Sequence, residues 1–130
     1  MNILTIKTDN PEAEISLIKD GQEIEKIKWQ AHKELSKTIL VKITDLLKKS
    51  DMEIKDLGGL IIFAGPGSFT GLRIGFSVAN TLAYSLSIPL VSTGTHDWVN
   101  LGLKRLENNE NDYVAVPNYG REPHITTPRK

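Results

Sequence analysis

Chemistry in this chain is easiest to place in the segment Phe63-Ala64-Gly65-Pro66-Gly67-Ser68-Phe69-Thr70-Gly71-Leu72-Arg73-Ile74-Gly75. Four glycines and a proline stand where an apolar run gives way to a helical pattern. A backbone that turns so sharply leaves its helix-starting amides facing outward, and such amides can hold an anion. The phosphate motifs do not fit, because Gly71 is followed by Leu72 and Arg73 where Lys and then Ser or Thr would be needed. Nor does the dinucleotide motif, since Gly65, Gly67 and Gly71 are spaced G-x-G-x-x-x-G. Two readings stay open, a phosphate cradle and a tight turn that packs a helix closely on a sheet, and the failed motifs favour the second.

Ser68 follows a glycine as a hydrolase nucleophile would, yet Gly67-Ser68-Phe69-Thr70-Gly71 is not G-x-S-x-G, and a helix N-cap suits it better. His32 could act as a general base, but the sequence places no serine, threonine or acid beside it and contains no cysteine. Capping or a contact surface remain for it. His96-Asp97 opens a later helical stretch, where an aspartate suits the positive helix end and further metal ligands are missing.

The elements that must position these residues follow from periodicity. Ile3 to Thr8, Glu14 to Ile18 and Glu23 to Trp29 read as three strands of an antiparallel meander, separated by Asp9-Asn10-Pro11 and Asp20-Gly21. From about Lys33 to Lys49, Leu35, Ile39, Leu40, Ile43, Leu46 and Leu47 recur at helical spacing and predict an amphipathic helix lying on the sheet. Leu60-Ile61-Ile62-Phe63 is a strand covered on both faces, followed by a helix from about Phe69 to Leu86. Pro89-Leu90-Val91 predicts another strand and Asp97 to Leu106 a third helix, ending in the polar stretch Glu107 to Asp112, a linker or a deletion scar.

The helix after the glycine junction has two faces. Leu72, Phe76, Val78, Ala79, Leu82, Ala83 and Leu86 fill about half its circumference and should cover the sheet. The other half holds Thr70, Arg73, Ile74, Ser77, Asn80, Thr81, Tyr84 and Ser85, with one charge, whereas a solvated face carries several. Such a face reads as covered, either by a partner helix, which small residues such as Gly75, Ser77 and Ala79 would admit, or by the rest of the same chain. Arg73, the sole cation, reads as a partner-pairing residue.

Composition limits the function classes. The 130 residues make about one domain. Lysine plus arginine and aspartate plus glutamate number 16 each, so no long-range field draws the chain to a phosphate backbone or an anionic membrane. The start Met1-Asn2-Ile3-Leu4 is too short for a signal peptide and no apolar run approaches a membrane helix, which points to a soluble, cytoplasmic protein.

The element order, β-β-β-α-β-α-β-α with a mixed sheet, resembles a single α/β ribonuclease-H-like lobe of the actin, sugar-kinase and Hsp70 superfamily. The stretch Gly65 to Gly75 resembles, more narrowly, the hallmark of the TsaB family, also called YeaZ, the dimerisation subunits of bacterial tRNA threonylcarbamoyladenosine synthesis. Ile3-Leu4-Thr5-Ile6, His32-Lys33-Glu34, Ile88-Pro89-Leu90-Val91 and Pro117-Asn118-Tyr119-Gly120-Arg121-Glu122-Pro123 are similar to that family in order and spacing. Two features depart from it. Family members generally have Asp-Thr-Ser where this chain has Lys7-Thr8-Asp9, so a cation replaces the phosphate-site acid. The family also has a second lobe, whereas here the third helix runs almost directly into the tail. The expectation is a short form, with a lobe over 1–112 and a C-terminal strand and flexible tail over 113–130.

The resemblance implies a non-catalytic scaffold that pairs with a TsaD-like transferase through its first two helices, with a TsaE-like ATPase joining the pair. It implies no cofactor on this chain, ATP and metal on the partner subunits, and contact with tRNA only through the complex. The small basic excess of the tail, Arg121, His124, Arg129 and Lys130 against Glu122, reads first as a solvated disordered end, with contact to tRNA or to a partner's acidic surface as the alternatives. The residues assigned to partner contact are His32, Ser68, Phe69, Thr70, Leu72, Arg73, Ile74, Ser77, Asn80, Thr81 and Tyr84. A homodimer using the same helix face, a degenerate ATPase fold and a small hydrolase using Ser68 are the alternatives.

Overall fold

In the computed structural model, which describes residues 1–118, the sheet has five strands in the order β3-β2-β1-β4-β5. They are β1 (Asn2–Lys7), β2 (Glu12–Lys19), β3 (Gln22–Gln30), β4 (Gly59–Phe63) and β5 (Leu90–Thr93). The helices are α1 (Leu35–Lys49), entered through a single 3-10 turn at His32–Glu34, α2 (Phe69–Leu86) and α3 (Trp98–Glu107). β1 pairs antiparallel with β2 and parallel with β4, and β4 pairs parallel with β5, so the sheet is mixed and of the ribonuclease-H-like kind.

Alternation along the central strands decides which helix covers which face. Leu4, Ile6, Leu60 and Ile62 point to the side taken by Leu35, Ile39, Ile43, Leu46 and Leu47 of α1 and Leu72, Phe76, Ala79 and Ala83 of α2. Ile3 and Ile61 point the other way, where Trp98 and Leu106 of α3 meet Val91 and Ile18. Each of the fully buried aliphatic side chains contributes roughly 1.5–3 kcal/mol by leaving water, so the two layers are held by the burial that the strand alternation dictates. On the α3 face Thr5 and Ser16, opposite one another in the β1–β2 register, share a buried hydroxyl–hydroxyl hydrogen bond. That bond satisfies two polar groups that burial would otherwise penalise.

Three expectations need correcting. Leu40 does not join the sheet-facing stripe of α1; it is exposed, as is Val41 beside it. Residues 113–116 form no strand: Tyr113 has φ 63, which a strand cannot accommodate, and Ala115 is instead pinned by Asn80 of α2. The polar stretch to Asp112 is not a loose linker, because its end is fastened to the outer edge of β5. Asp112 N donates to Leu90 O (2.8 Å), Asn111 Oδ1 accepts from Leu90 N (3.1 Å), and Asp112 Oδ2 accepts from Ser92 N (2.9 Å). Arg105 of α3 completes the fastening, donating from Nη1 to Ser92 O (2.9 Å), from Nε to Glu110 (2.8 Å), and from Nη2 to Asp112. Partial burial works against the Asp112 charge, but the hydrogen bonds from Arg105 and Ser92 outweigh it and hold the carboxyl below the ordinary carboxylate range. The expected tail, with Arg121, His124, Arg129 and Lys130, lies outside the described residues.

Candidate partner interface on the first two helices

The glycine junction sets α2 by close approach to the β1–β2 turn. Thr8 is buried, and its Oγ1 donates to Gly71 O (2.8 Å). A Cβ on Gly71 would collide with the Thr8 carbonyl oxygen, and one on Gly75 would lie 3.2 Å from both Thr8 Cβ and Cγ2 and nearer still to Oγ1. Only glycine lets the first two turns of α2 press this closely on the end of β1.

Two of the amides at this helix start are taken within the chain. Ser68 N donates to Asp9 O (2.7 Å), and the Ser68 hydroxyl caps the helix by accepting from Gly71 N (3.3 Å). The close approach of α2 to Thr8 supports the packing reading of the junction, and Ser68 serves as the N-cap. At the end of β1, Lys7 Nζ lies 2.7 Å from Asp9 Oδ1 and 4.9 Å from the centre of the Phe63 ring, so that cation is neutralised and covered by its own chain.

Beyond the junction, α2 turns a continuous strip outward. Thr70, Arg73, Ser77 and Thr81 are exposed, Ile74 is half-buried, and Phe69 and Tyr84 are exposed to 56% and 87%. A groove of about 450 Å3 runs between the helices, lined by Ser36 of α1 and Thr70, Arg73, Ile74, Ser77 and Val78 of α2. A second hollow of about 280 Å3 continues it past Thr70 and Ile74 to Ser68 and to His32, an exposed residue with φ 44. Elsewhere on α1, Leu40 and Val41 are 53% and 57% exposed. The strip carries one charge, Arg73, whose guanidinium lies 5.3 Å from the centre of the Phe69 ring. Among the described residues Arg73 makes no ion pair, so the cation is stacked on an aromatic of its own helix.

Of the eleven residues assigned to partner contact, nine reach this surface. Leu72 does not: it is fully buried in the core between α2 and the sheet, because at 100° per residue it falls on the inner face, with Phe76 and Ala79. Asn80 is half-buried with its amide already spent, donating to Ala115 O (3.0 Å) and accepting from Ala115 N (2.8 Å). Of the small residues expected to admit a partner helix, Gly75 and Ala79 face the core and Ser77 alone is at the surface. Sequence reasoning missed Ser36, which lines the groove from the α1 side. It also missed Thr8, the socket for α2, which no local pattern marks.

Residues 29–111 match the family model described as TsaD: tRNA N6-adenosine threonylcarbamoyltransferase. The chain belongs to this family. Its relatives include both TsaB proteins and tRNA N6-adenosine threonylcarbamoyltransferases: it is 38% identical over 90 residues to the tRNA threonylcarbamoyladenosine biosynthesis protein TsaB of Bacillus subtilis, a match covering 69% of this chain and 39% of that protein. It is 34% identical over 100 residues to TsaB of Escherichia coli, covering 73% of this chain and 41% of that protein. The solved structure of YeaZ from Pseudomonas aeruginosa superposes with a TM-score of 0.65 at 22% identity, over 72% of this chain and 42% of that one, a likeness of fold. The chain thus spans about two-fifths of the length of the relatives it matches. No helix among the described residues is long and apolar enough to cross a membrane.

Proposed function

We propose that the chain serves tRNA threonylcarbamoyladenosine biosynthesis in the cytoplasm as a non-catalytic scaffold, binding a TsaD-like transferase through the exposed face of α1 and α2. The observation that carries this reading is the face itself: Phe69, Arg73, Ser77, Thr81 and Tyr84 are exposed along one strip of α2 with a single charge, beside a groove that Ser36 of α1 lines from the other side. Apolar surface of that extent with so little charge suits burial against another helix pair. Ser68 and Thr70 at one end, and His32 across the smaller hollow, would form the rim of the contact. A TsaE-like ATPase would join the pair, and ATP, metal and the transfer step would belong to these partner subunits.

Two features argue against chemistry on this chain. The Ser68 hydroxyl is engaged as a helix cap, which is a positioning task and not that of an activated nucleophile. Asp9, the acid nearest in sequence to the end of β1, is already paired to the Lys7 ammonium and is not free to hold a metal ion. Contact with tRNA would come through the complex, since the chain's balanced charge supplies no field of its own.

Co-expression with a tagged TsaD-like transferase followed by size-exclusion chromatography tests the proposal. The expected result is one peak holding both chains, and two separately eluting proteins would overturn it. A homodimer through the same face is the second reading, favoured by the same low charge. It would show as a concentration-dependent dimer of the isolated chain that the transferase fails to displace.

A further inference from the structure

We propose that residues 111–118 form a strap that guards the outer edge of β5 against strand pairing with a second copy of this chain, and that Arg105 is its latch. An uncovered edge strand offers a row of N–H and C=O groups to any other strand, and natural sheets blunt such edges with charge, bulges or covering segments. The two edges of this sheet are protected in different ways. β3 carries Glu23, Glu25, Lys26 and Lys28, and the ladder joining it to β2 has an irregularity at Leu17/Ile18. β5, Leu90-Val91-Ser92-Thr93, has no charge from Ser87 to Gly94 and is rich in β-formers, the composition that pairs readily with a copy of itself.

Alternate residues of β5 face alternate neighbours. Pro89 O and Thr93 O accept from Leu60 N and Ala64 N on the β4 side, which leaves Leu90 and Ser92 to present their backbone groups outward. All four outward groups are taken. Leu90 N donates to Asn111 Oδ1, Leu90 O accepts from Asp112 N, Ser92 N donates to Asp112 Oδ2, and Ser92 O accepts from Arg105 Nη1. The strap therefore imitates a sixth strand with two residues and one guanidinium, and it presents no free ladder beyond. It is held further along by the paired bonds of Asn80 with Ala115 and by Asn118 N donating to Ala64 O (2.7 Å). Arg105 holds Glu110, Asp112 and Ser92 at once, so one side chain ties the strap to both α3 and the strand.

Hydrogen exchange at single-amide resolution, with sedimentation velocity, tests this on the full chain. Both measurements are made in a Ser77→Arg background, which keeps contact through the helix face out of the reading. In Asp112→Ala and Arg105→Ala, the Leu90 and Ser92 amides should exchange roughly tenfold faster while Val91 and Thr93 stay within about twofold, and a dimer should appear as concentration rises. Unchanged exchange at Leu90 and Ser92, or a chain that stays monomeric with the edge open, would overturn the proposal. Equal acceleration at all four amides would also overturn it, because the strap would then be general support and not an edge guard. Should Asp112→Ala fail to fold, Asp112→Asn decides: it keeps the shape but loses the charged pairing with Arg105, and Ser92 exchange must still rise.

Discussion

Placing one methyl group on Gly75 tests the packing account of the glycine junction. In Gly75→Ala the new Cβ would lie 3.2 Å from Thr8 Cβ and Cγ2 and closer to Thr8 Oγ1, and Thr8 is buried, so it has little room to retreat. Overpacking of this kind costs about 1–3 kcal/mol. Displacing Thr8 also strains its 2.8 Å bond to Gly71 O, a net contribution of roughly 0.5–1.5 kcal/mol. Against these stands the helix preference for alanine over glycine, about 1 kcal/mol. The balance is a loss of about 0.5–3.5 kcal/mol, a fall in Tm of roughly 2–14 °C for a domain of this size. Urea unfolding of Gly75→Ala, Thr8→Ala and the double variant measures it. The double variant should lose clearly less than the sum, because Thr8→Ala removes the atoms that clash. A Gly75→Ala chain as stable as the wild type, or strictly additive losses, would refute the reasoning.

Further predictions follow from the same geometry. Gly71→Ala should cost more than Gly75→Ala in the same unfolding assay, because its clash is with the Thr8 carbonyl oxygen, which no side-chain rotation relieves. Ser68→Ala, which removes the N-cap of α2, should lose about 1 kcal/mol by urea unfolding. The pH dependence of stability should report Asp112. Its carboxyl is held below the ordinary range in the fold, so its stabilisation is present above about pH 4 and fades as pH falls through the lower folded value. The difference in unfolding free energy between wild type and Asp112→Asn should therefore be level from about pH 7 to 5 and shrink below about pH 4. Growth of that difference on acidification would contradict this.

Local rules made much of the fold legible. The bounds of α2, Phe69 and Leu86, and its Ser68 cap follow from periodicity and the first-turn serine, and the structure has the same residues in those places. The meander and the doubly covered β4 follow equally from alternation and from an unbroken apolar run. What sequence reasoning missed depends on contacts distant along the chain. Thr8 and Gly75 are far apart in sequence, so the reason for the glycine appears only when β1 and α2 meet. The segment through Asp112 reads as loose because its acids and amides look solvated, whereas Asn111 and Asp112 at its end are spent on the backbone of β5. Tyr113 to Val116 has the composition of a strand, but Asn80 takes the Ala115 backbone and the positive φ of Tyr113 breaks the extension. The helical wheel of α2 put Leu72 on the sheet side, where it is buried, and its partner-contact assignment fails for that reason, whereas Leu40 of α1 lies beyond the edge of its stripe and is exposed.

The central claim is that the face of α1 and α2 is a seat for a TsaD-like partner. Calorimetric titration of the chain into that transferase, with wild type and Ser77→Arg side by side, tests it most directly. Ser77 is exposed on the groove, so the substitution should leave stability within about 0.5 kcal/mol of wild type. The account predicts saturable binding by the wild type and at least a roughly tenfold weaker Kd for Ser77→Arg, the effect of about 1.4 kcal/mol. No binding by the wild type, or equal Kd for the two, would contradict it.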